Sequence, residues 1–308
     1  MKVLLYFENQ KLIAKSGIGR ALKLQQKALS YTDVEVTTDP KSRDYDVLHI
    51  NTYGVKSHYM VNQAHKMGKK VVYHGHSTYE DFRNSFTGSN LIAPFFKRYL
   101  VSLYKKADAI ITPTPYSKQL LRGYRLSQYI APISNGIPLE KYAASDEKVK
   151  KFRDYFDLSP EQKVVISVGL FFERKGILDF VTLAKKHPEY VFIWFGYTDL
   201  RLVPQKISRL IKGNHPRNLI LPGYITGDVI QGAYQGADLF LYPSFEETEG
   251  IVVLEALASK QKVLVRDIPV YHHWLADGIN SYKAKDVAAF ETLMVKILNH
   301  ELPDLTDT

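Results

Sequence analysis

Two carboxylates eight positions apart, Glu247 and Glu255, enclose an apolar run in the stretch "PSFEETEGIVVLEALAS" (243–259). A single helix would hold them about 80° apart, so we expect Glu247 in a loop and Glu255 two turns into a helix that Gly250 opens. Carboxylates suit polyols because each accepts two hydrogen bonds. Glu247 could therefore bind sugar hydroxyls, and Glu255 a ribose diol.

The same stretch offers hydrogen-bond donors for a bound anion. The backbone N–H groups of Gly250 and Ile251 would lie at the N-terminus of the predicted helix, where an anion is stabilised. A simpler interpretation is also open, because Ser244 and Glu247 match the S-x-x-E capping box. The pattern leaves undecided whether Glu247 binds a ligand or caps a helix.

A pair of cations follows another predicted strand in "VGLFFERKGILDF" (168–180). After the strand and its Gly169, Arg174 and Lys175 come just before Gly176. Arginine would present a bidentate fork and lysine a point charge, which together could neutralise a diphosphate. The alternative is a solvated charged turn, the usual fate of an isolated Arg-Lys pair.

A glycine-rich turn precedes a helical pattern in "KSGIGRALKLQQKAL" (15–29). Gly17 and Gly19 would let the backbone approach a ligand, and the helix would offer a positive N-terminus to a phosphate. The third glycine of the dinucleotide fingerprint is absent and the loop before it is too long. A plain helix-start turn remains the competing interpretation.

Two histidines end a predicted strand in "VVYHGHSTYEDFRNSF" (71–86). Their spacing resembles half of a metal site, but His74 and His76 have no evident third ligand and the chain has no cysteine. A histidine at the end of a strand could instead bond a substrate hydroxyl.

A helical stripe of apolar residues runs through "SNLIAPFFKRYLVSLYKKAD" (89–108), with Pro94 suited to its first turn. A basic, aromatic and amphipathic helix is typical of membrane interfaces. Packing on the protein's own sheet is the alternative. The candidates for membrane contact are Phe95, Phe96, Lys97 and Arg98.

Short β-branched runs alternate with amphipathic stretches, which predicts an α/β fold with parallel sheets. We expect two Rossmann-like domains, residues 1–145 and 146–308, facing each other across a cleft that strand C-termini line. Residues 139–162 suit a linker with a surface helix. The predicted strands are 3–7, 46–51, 70–75, 109–114, 163–169, 190–196, 218–224, 238–244 and 262–267.

Charge is divided unevenly along the 308 residues, whose net charge is +9. Residues 1–150 hold 23 Lys and Arg against 12 Asp and Glu, and residues 151–308 hold 18 against 20. The basic half suits an acidic partner such as nucleic acid or anionic lipid, although excess lysine also aids solubility. Without cysteine, signal peptide or a run of about 20 apolar residues, we expect a cytoplasmic protein with peripheral membrane contact only.

Taken together, these motifs resemble the retaining glycosyltransferases of family 4, which have the two-domain GT-B fold. Glu247 and Glu255 match the family's E-x7-E element, and "SVGLFFERKG" resembles its diphosphate turn. "PISNGIPLEKY" resembles its interdomain element, and "ADLFLYPS" the strand before the carboxylates. The sequence is most similar to bacterial enzymes that build diacylglycerol glycolipids, of the α-galactosyl-glucosyl-diacylglycerol synthase type.

The resemblance implies site residues position by position. Catalytic roles fall to His76, Arg174, Lys175 and Glu247, with His76 preferred to His74 because it fits the family's H-x-x-Y-E spacing. Leu170 replaces a frequent family arginine, which leaves the share of charge between Arg174 and Lys175 open. Donor contacts are implied for Gly17, Gly19, Asn135, Gly169, Tyr224, Ile225, Ser244, Gly250, Ile251 and Glu255. Acceptor or membrane contacts are implied for Arg83, Asn84, Phe86, Phe95, Phe96, Lys97 and Arg98.

The function that the resemblance implies is transfer of a hexose from a UDP-sugar to glucosyl-diacylglycerol with retention of the α configuration. Galactose is favoured over glucose, in synthesis of a lipoteichoic acid anchor. No metal or other cofactor is expected, and the partners would be the UDP-hexose, the glycolipid and an anionic membrane rather than nucleic acid. We expect that the ending "PDLTDT" does not form the crossover helix that many family members carry.

Three alternatives stay open. The acceptor could be a soluble sugar or polysaccharide. The basic half could serve a non-enzymatic scaffold. An NAD oxidoreductase is disfavoured because the glycine fingerprint is missing.

Overall fold

A computed structural model describes residues 1–9, 17–213 and 215–306, without the side chains of residues 17, 18 and 20. The chain divides into two compact units. The first consists of Met1–Phe82 and Asn90–Ile137, and the second of Arg83–Ser89 and Pro138–Thr308. The short segment Arg83–Ser89 thus belongs to the second unit although first-unit sequence surrounds it.

The first unit contains a six-stranded sheet in the order β2-β1-β3-β4-β5-β6, and every pair of neighbouring strands is parallel. Its buried side chains include Leu4, Ile50 and Tyr73 on strands and Leu100 on a helix. The elements are β1 (Lys2–Tyr6), α1 (Gly17–Leu29), β2 (Glu35–Thr37), β3 (Val47–Ile50), α2 (Val55–Lys66), β4 (Lys70–His74), α3 (Tyr79–Phe82), α4 (Ser89–Tyr104), β5 (Ala109–Thr112), α5 (Pro115–Gly123) and β6 (Tyr129–Pro132).

The second unit contains another six-stranded parallel sheet, whose order is β12-β11-β10-β7-β8-β9. Its elements are α6 (Asp146–Tyr155), β7 (Val164–Val168), α7 (Ile177–Lys186), β8 (Val191–Phe195), α8 (Gln205–Ile211), β9 (Leu219–Gly223), α9 (Asp228–Gly236), β10 (Leu239–Tyr242), α10 (Ile251–Ala258), β11 (Val263–Arg266), β12 (Tyr282–Ala284) and α11 (Val287–Leu298). Short 3₁₀ turns cover Leu139–Lys141, Glu173–Lys175 and Pro269–Tyr271.

The strand order of the second sheet reverses direction between β7 and β10. The chain runs outward through β8 and β9 on one side, and through β11 and β12 on the other. At such a reversal the loops after the two central strands leave in opposite directions and open a crevice, where ligands of open α/β sheets bind. The fold therefore makes the loops after β7 and β10 the first place to look for a site.

The stretch predicted as a linker is part of the second unit. Helix α6 forms there, as expected, but Phe152 is fully buried. Helices α6 and α9 pack closely because α9 has glycine at positions 232 and 236. A Cβ at Gly232 would lie 1.9 Å from the carbonyl oxygen of Lys148 in α6. The polar pattern of 139–162 is explained by the outer face of α6, while its inner face is core.

Helix α4 corrects one expectation. It begins at Ser89, so Pro94 lies in its interior and not in its first turn. Proline there lacks the N–H that would bond to the carbonyl four residues earlier. Across the described residues, no helix combines the length and the apolar character that crossing a bilayer requires.

Candidate functional site

Four side chains meet at the carboxyl ends of β7 and β10. Lys175 lies in the turn after β7, and its ammonium donates to a carboxylate oxygen, Oε1, of Glu247 in the loop after β10. The same Oε1 accepts from Tyr242 Oη at 2.7 Å and from Ser244 Oγ at 2.6 Å. Lys175 Nζ also lies 3.0 Å from Tyr242 Oη. We call these four residues the Lys175–Glu247 cluster.

The cluster holds a buried carboxylate in its charged form. Glu247 is only 6% exposed, and burial alone would raise its pKa. The nearby charges of Lys175 and Arg174 outweigh that effect, so the pKa of Glu247 lies below its usual value. Within the described part of the chain these bonds all go to Oε1. Oε2 can therefore accept a hydrogen bond from a bound hydroxyl.

Arg174 lies beside the cluster, with its guanidinium nearly buried. Its Nη1 is 3.9 Å from Glu247 Oε1 and donates to the carbonyl of Glu246 at 3.0 Å. Its Nε donates to Ser85 Oγ at 2.8 Å. Its backbone N–H donates to the carbonyl of Asn84 at 3.1 Å. The segment Arg83–Ser89 thus holds this arginine in place.

The two loops are also joined through their backbones. The N–H of Phe245 donates to the carbonyl of Arg174 at 2.7 Å. Gly176, with φ of +78°, packs so closely that a Cβ there would lie 2.3 Å from the carbonyl oxygen of Pro243. These contacts set the distance between the cations of one loop and the carboxylate of the other.

Helix α10 resolves the alternative roles of Glu247. The helix begins at Ile251 after Gly250, which has a left-handed φ of +88°, and no side chain caps it. Glu247 lies outside the helix and bonds to Lys175, so it is not a capping residue. The N–H groups of the first turn follow the cluster directly, which is the arrangement that favours an anion.

Glu255 is placed differently from Glu247. It lies on α10 as expected, but it is 4% exposed and accepts a hydrogen bond from Tyr234 Oη of α9 at 2.7 Å. Its ribose-binding role stays a prediction.

The remaining second-unit candidates lie at or near the same edge of the sheet. Gly169 directly follows β7. A Cβ at this position would lie 3.8 Å from the side chain of Lys175. Tyr224 and Ile225 directly follow β9 and are half-buried. Of the acceptor candidates, Arg83 and Asn84 are exposed and Phe86 is half-buried, all in Arg83–Ser89.

A stack of imidazoles ends strands β3 and β4 in the first unit. The rings of His49 and His74 are 5.6 Å apart, and those of His74 and His76 are 4.0 Å apart, with interplanar angles of 3° and 6°. Asn51 Oδ1 lies 2.8 Å from His76 Nε2 and accepts from Gln25 Nε2 at 2.8 Å. Gln25 Nε2 also lies 2.9 Å from His74 Nδ1.

This geometry assigns a state to His76. An amide oxygen only accepts, so the Nε2 that faces Asn51 carries the hydrogen. Burial, followed by the neighbouring His49, lowers the pKa of His76 to about 3. The ring is therefore neutral at physiological pH, and its Nδ1 is an acceptor for a hydroxyl.

The stack makes stability depend on pH. Burial lowers the pKa of His49 from 6.5 to about 4, so the unfolded chain binds a proton that the folded chain does not. Folded stability then falls as the pH drops below 6.5. We expect the wild type to lose about 2 kcal/mol more than His49→Phe between about pH 7.5 and pH 5. Phenylalanine keeps a stacking ring and cannot titrate. Urea unfolding at the two pH values measures the difference, and parallel losses would contradict the assignment.

The other first-unit candidates are dispersed. Gly17 and Gly19 lie in the first turn of α1, and the loop at 10–16 lies outside the described residues. Asn135 follows β6. On α4, Phe95 is 68% exposed and Arg98 is exposed, whereas the ring of Phe96 stacks on Phe82 at 3.9 Å. The ammonium of Lys97 lies 4.5 Å from the ring of Tyr124.

Three residues that contact the candidate site residues were not predicted from the sequence. Tyr242 is the last residue of an apolar strand and is indistinguishable from core by pattern. Ser85 carries no motif, and only the fold brings it to Arg174. Asn51 was detectable in principle, because a polar residue directly after a buried strand marks the ligand edge of a sheet.

No group of three or more His, Asp or Glu side chains among the described residues could hold a metal ion. The Lys175–Glu247 cluster and the helix N-terminus beside it instead offer fixed charge and hydrogen bonds. This chemistry suits a ligand that combines phosphate with hydroxyl groups.

The chain is similar to known glycosyltransferases. Residues 148–306 match the family model described as glycosyl transferases group 1, and residues 35–141 match that of glycosyltransferase family 4. The processive diacylglycerol alpha-glucosyltransferase of Acholeplasma laidlawii is 47% identical over 100% of this chain and 91% of its own length. The alpha-galactosylglucosyldiacylglycerol synthase of Streptococcus pneumoniae is 28% identical over 84% of this chain and 71% of its own length.

Solved structures share the fold. Anabaena Alr3699/HepE in complex with UDP and glucose has a TM-score of 0.73 and 18% identity, covering 99% of this chain and 92% of that one. Sucrose-phosphate synthase from Thermosynechococcus elongatus has a TM-score of 0.76 and 16% identity, with 99% and 92% coverage. The chain belongs to glycosyltransferase family 4 and has the GT-B fold.

Proposed function

We propose that the protein transfers glucose from UDP-glucose to a diacylglycerol lipid or its monoglucosyl derivative, with retention of the α configuration. The observation that carries this proposal is the Lys175–Glu247 cluster at the strand-order reversal of the second sheet. It is supported by the 47% identity with a relative named as a diacylglycerol alpha-glucosyltransferase. Because the sugar of UDP-glucose is itself α-linked, an α product requires retention.

The cluster accounts for donor binding by charge and hydrogen bonding. In the proposed complex, the diphosphate lies against Lys175, Arg174 and the first turn of α10, which would supply positive charge and N–H donors. Glu247 Oε2 accepts from a sugar hydroxyl while Oε1 remains bound to Lys175. This dual use explains a carboxylate that is buried yet kept ionised.

The proposed reaction is a displacement at the anomeric carbon of the sugar. The bond from that carbon to the diphosphate oxygen breaks, and a bond to the acceptor oxygen forms on the same face. The acceptor proton passes to the departing diphosphate. Lys175 and Arg174 stabilise the negative charge that develops on the leaving group, which is where preorganised charge lowers a barrier most. For His76 we propose only the role of a neutral imidazole whose Nδ1 accepts a hydrogen bond from a substrate hydroxyl.

The donor sugar is the finer part of the proposal. The sequence resemblance favoured galactose, and the Streptococcus relative carries a galactosyl name at 28% identity. Glucose is preferred here because the relative with 47% identity over the whole chain carries a glucosyl name. UDP-galactose remains the second candidate donor.

The lipid acceptor calls for contact with a membrane surface, which we assign to the outer face of α4. Leu91, Ile92 and Phe95 are 81%, 47% and 68% exposed there, and Arg98 follows one turn later. Apolar side chains beside a cation on one helix face suit the interface of an anionic bilayer.

The double substitution Leu91→Ser/Phe95→Ser is expected to weaken binding to vesicles with anionic lipid by about 100-fold or more, since each apolar side chain contributes about 1.5–3 kcal/mol when buried. Sedimentation with vesicles at fixed salt measures the affinity. Tyr31→Ser is the matched control, because Tyr31 is 76% exposed but lies outside α4. Equal binding by wild type and double variant would refute the assignment of this face.

The experiment that tests the function combines two labelled donors with three acceptors. UDP-glucose and UDP-galactose are each supplied with diacylglycerol vesicles, monoglucosyl-diacylglycerol vesicles or a soluble glucoside, and products are resolved by thin-layer chromatography. The proposal expects label from UDP-glucose in lipid. Transfer to the soluble glucoside alone would favour the soluble-acceptor alternative.

A further inference from the structure

A buried arginine, Arg266, contacts the loop that carries Glu247. Arg266 ends strand β11 and is 5% exposed. Its Nε donates to the carbonyl of Pro243 at 3.0 Å, and its Nη1 donates to the carbonyl of Lys285 at 3.0 Å. Its Nη2 pairs with the carboxylate of Asp179.

The guanidinium also supports the loop by stacking. Its carbon lies 3.8 Å from the centre of the Phe245 ring. Arg266 therefore contacts the loop after β10 at two points, Pro243 and Phe245, on either side of Ser244. A planar fork with several fixed donors can satisfy these contacts together, whereas an ammonium cannot.

Asp179, which pairs with Arg266, lies in the helix that follows the loop carrying Lys175. Asp179 lies in the first turn of α7, which starts directly after Lys175 and Gly176. Arg266 thus connects the beginning of α7 to the loop that carries Glu247. The backbone contact between Gly176 and Pro243 lies within the same junction.

We propose that Arg266, paired with Asp179, is a positioning residue for the transfer reaction: it fixes the loop at 243–250 so that Glu247 stays aligned with Lys175. The expected effect on catalysis rests on the proposed function. The expected effect on the loop at 243–250 rests only on the contacts of Arg266. Transition-state stabilisation is steeply sensitive to small displacements of charged groups, while ground-state binding is less so.

The test uses Arg266→Lys and Asp179→Asn in the full chain. Lysine retains the charge but loses the fork, so we expect kcat to fall about tenfold or more while the Kd for UDP rises by no more than about threefold. Asp179→Asn keeps an acceptor and should have a smaller effect in the same direction. Lys186→Met is the control, since its exposed pair with Glu291 also joins α7 to another element.

Hydrogen exchange supplies a readout that does not depend on activity. Amides at 243–250 should exchange faster in Arg266→Lys, while those of β7 exchange as in the wild type. Unchanged exchange in that loop, or kcat within twofold of wild type, overturns the inference. Faster exchange throughout the second unit with a parallel loss of kcat and UDP affinity also overturns it, since that is general destabilisation. If the wild type transfers no hexose, the proposed function fails and the exchange result still decides the structural claim.

Discussion

Replacing Lys175 with methionine is expected to lower kcat by about 10²–10³-fold, the effect of removing one preorganised donor to a developing negative charge. Methionine preserves an unbranched side chain of similar length, so the loss reports the ammonium. The reason lies in the Lys175–Glu247 cluster, where Lys175 is the cation bonded directly to the carboxylate. Steady-state transfer rates at saturating donor measure the change.

A fall in stability should accompany the Lys175 substitution. Glu247 is left buried with Arg174 at 3.9 Å and the hydroxyls of Tyr242 and Ser244 as its remaining partners. Those partners limit the loss, which we place at about 2 kcal/mol, below the 3–5 kcal/mol for a buried charge left without compensation. Lys206→Met is the control, because it removes a surface cation paired with Glu173 in the same turn. A Lys175→Met enzyme with kcat within threefold of wild type would contradict the role of the cluster.

Gly176→Ala is expected to lower the free energy of unfolding by about 3 kcal/mol or more and to abolish transfer. Two costs add. The left-handed φ of +78° disfavours any Cβ, and that Cβ would lie 2.3 Å from the carbonyl oxygen of Pro243. The loops after β7 and β10 would have to separate, which moves Lys175 away from Glu247.

A second glycine isolates the steric part of this prediction. Gly278 has nearly the same φ, +73°, with no heavy atom within 4 Å of a Cβ position. Gly278→Ala should therefore cost only the backbone preference, about 1–2 kcal/mol. Urea unfolding compares the two variants. Equal losses would show that the contact with Pro243 does not hold the loops together.

The central strands were predictable, whereas three of the four edge strands were not. The nine strands that the sequence predicted are confirmed, because each contains a short apolar run of the kind that predicts a strand. The three that it missed, β2, β6 and β12, all lie at sheet edges. They have three or four residues each and partly exposed side chains, too little for a periodic pattern to register.

The site was predictable as a set of motifs but not as a set of contacts. The spacing of Glu247 and Glu255 indicated a loop and a helix, and the structure confirms both placements. Spacing could not show that Tyr242 and Ser244 bond to Glu247, since those contacts depend on how two loops pack. Ser85 is the clearest case, because a residue 89 positions before Arg174 has no local signal of its partnership.

Transfer of labelled glucose from UDP-glucose into vesicles that contain diacylglycerol or its monoglucosyl derivative tests the central claim most directly. The wild type and Lys175→Met proteins are assayed side by side, and label is counted in the chloroform extract. We predict label in the lipid fraction with the wild type and about 10²-fold less or lower with the variant. The absence of lipid label with the wild type, or equal label with both proteins, would contradict the account.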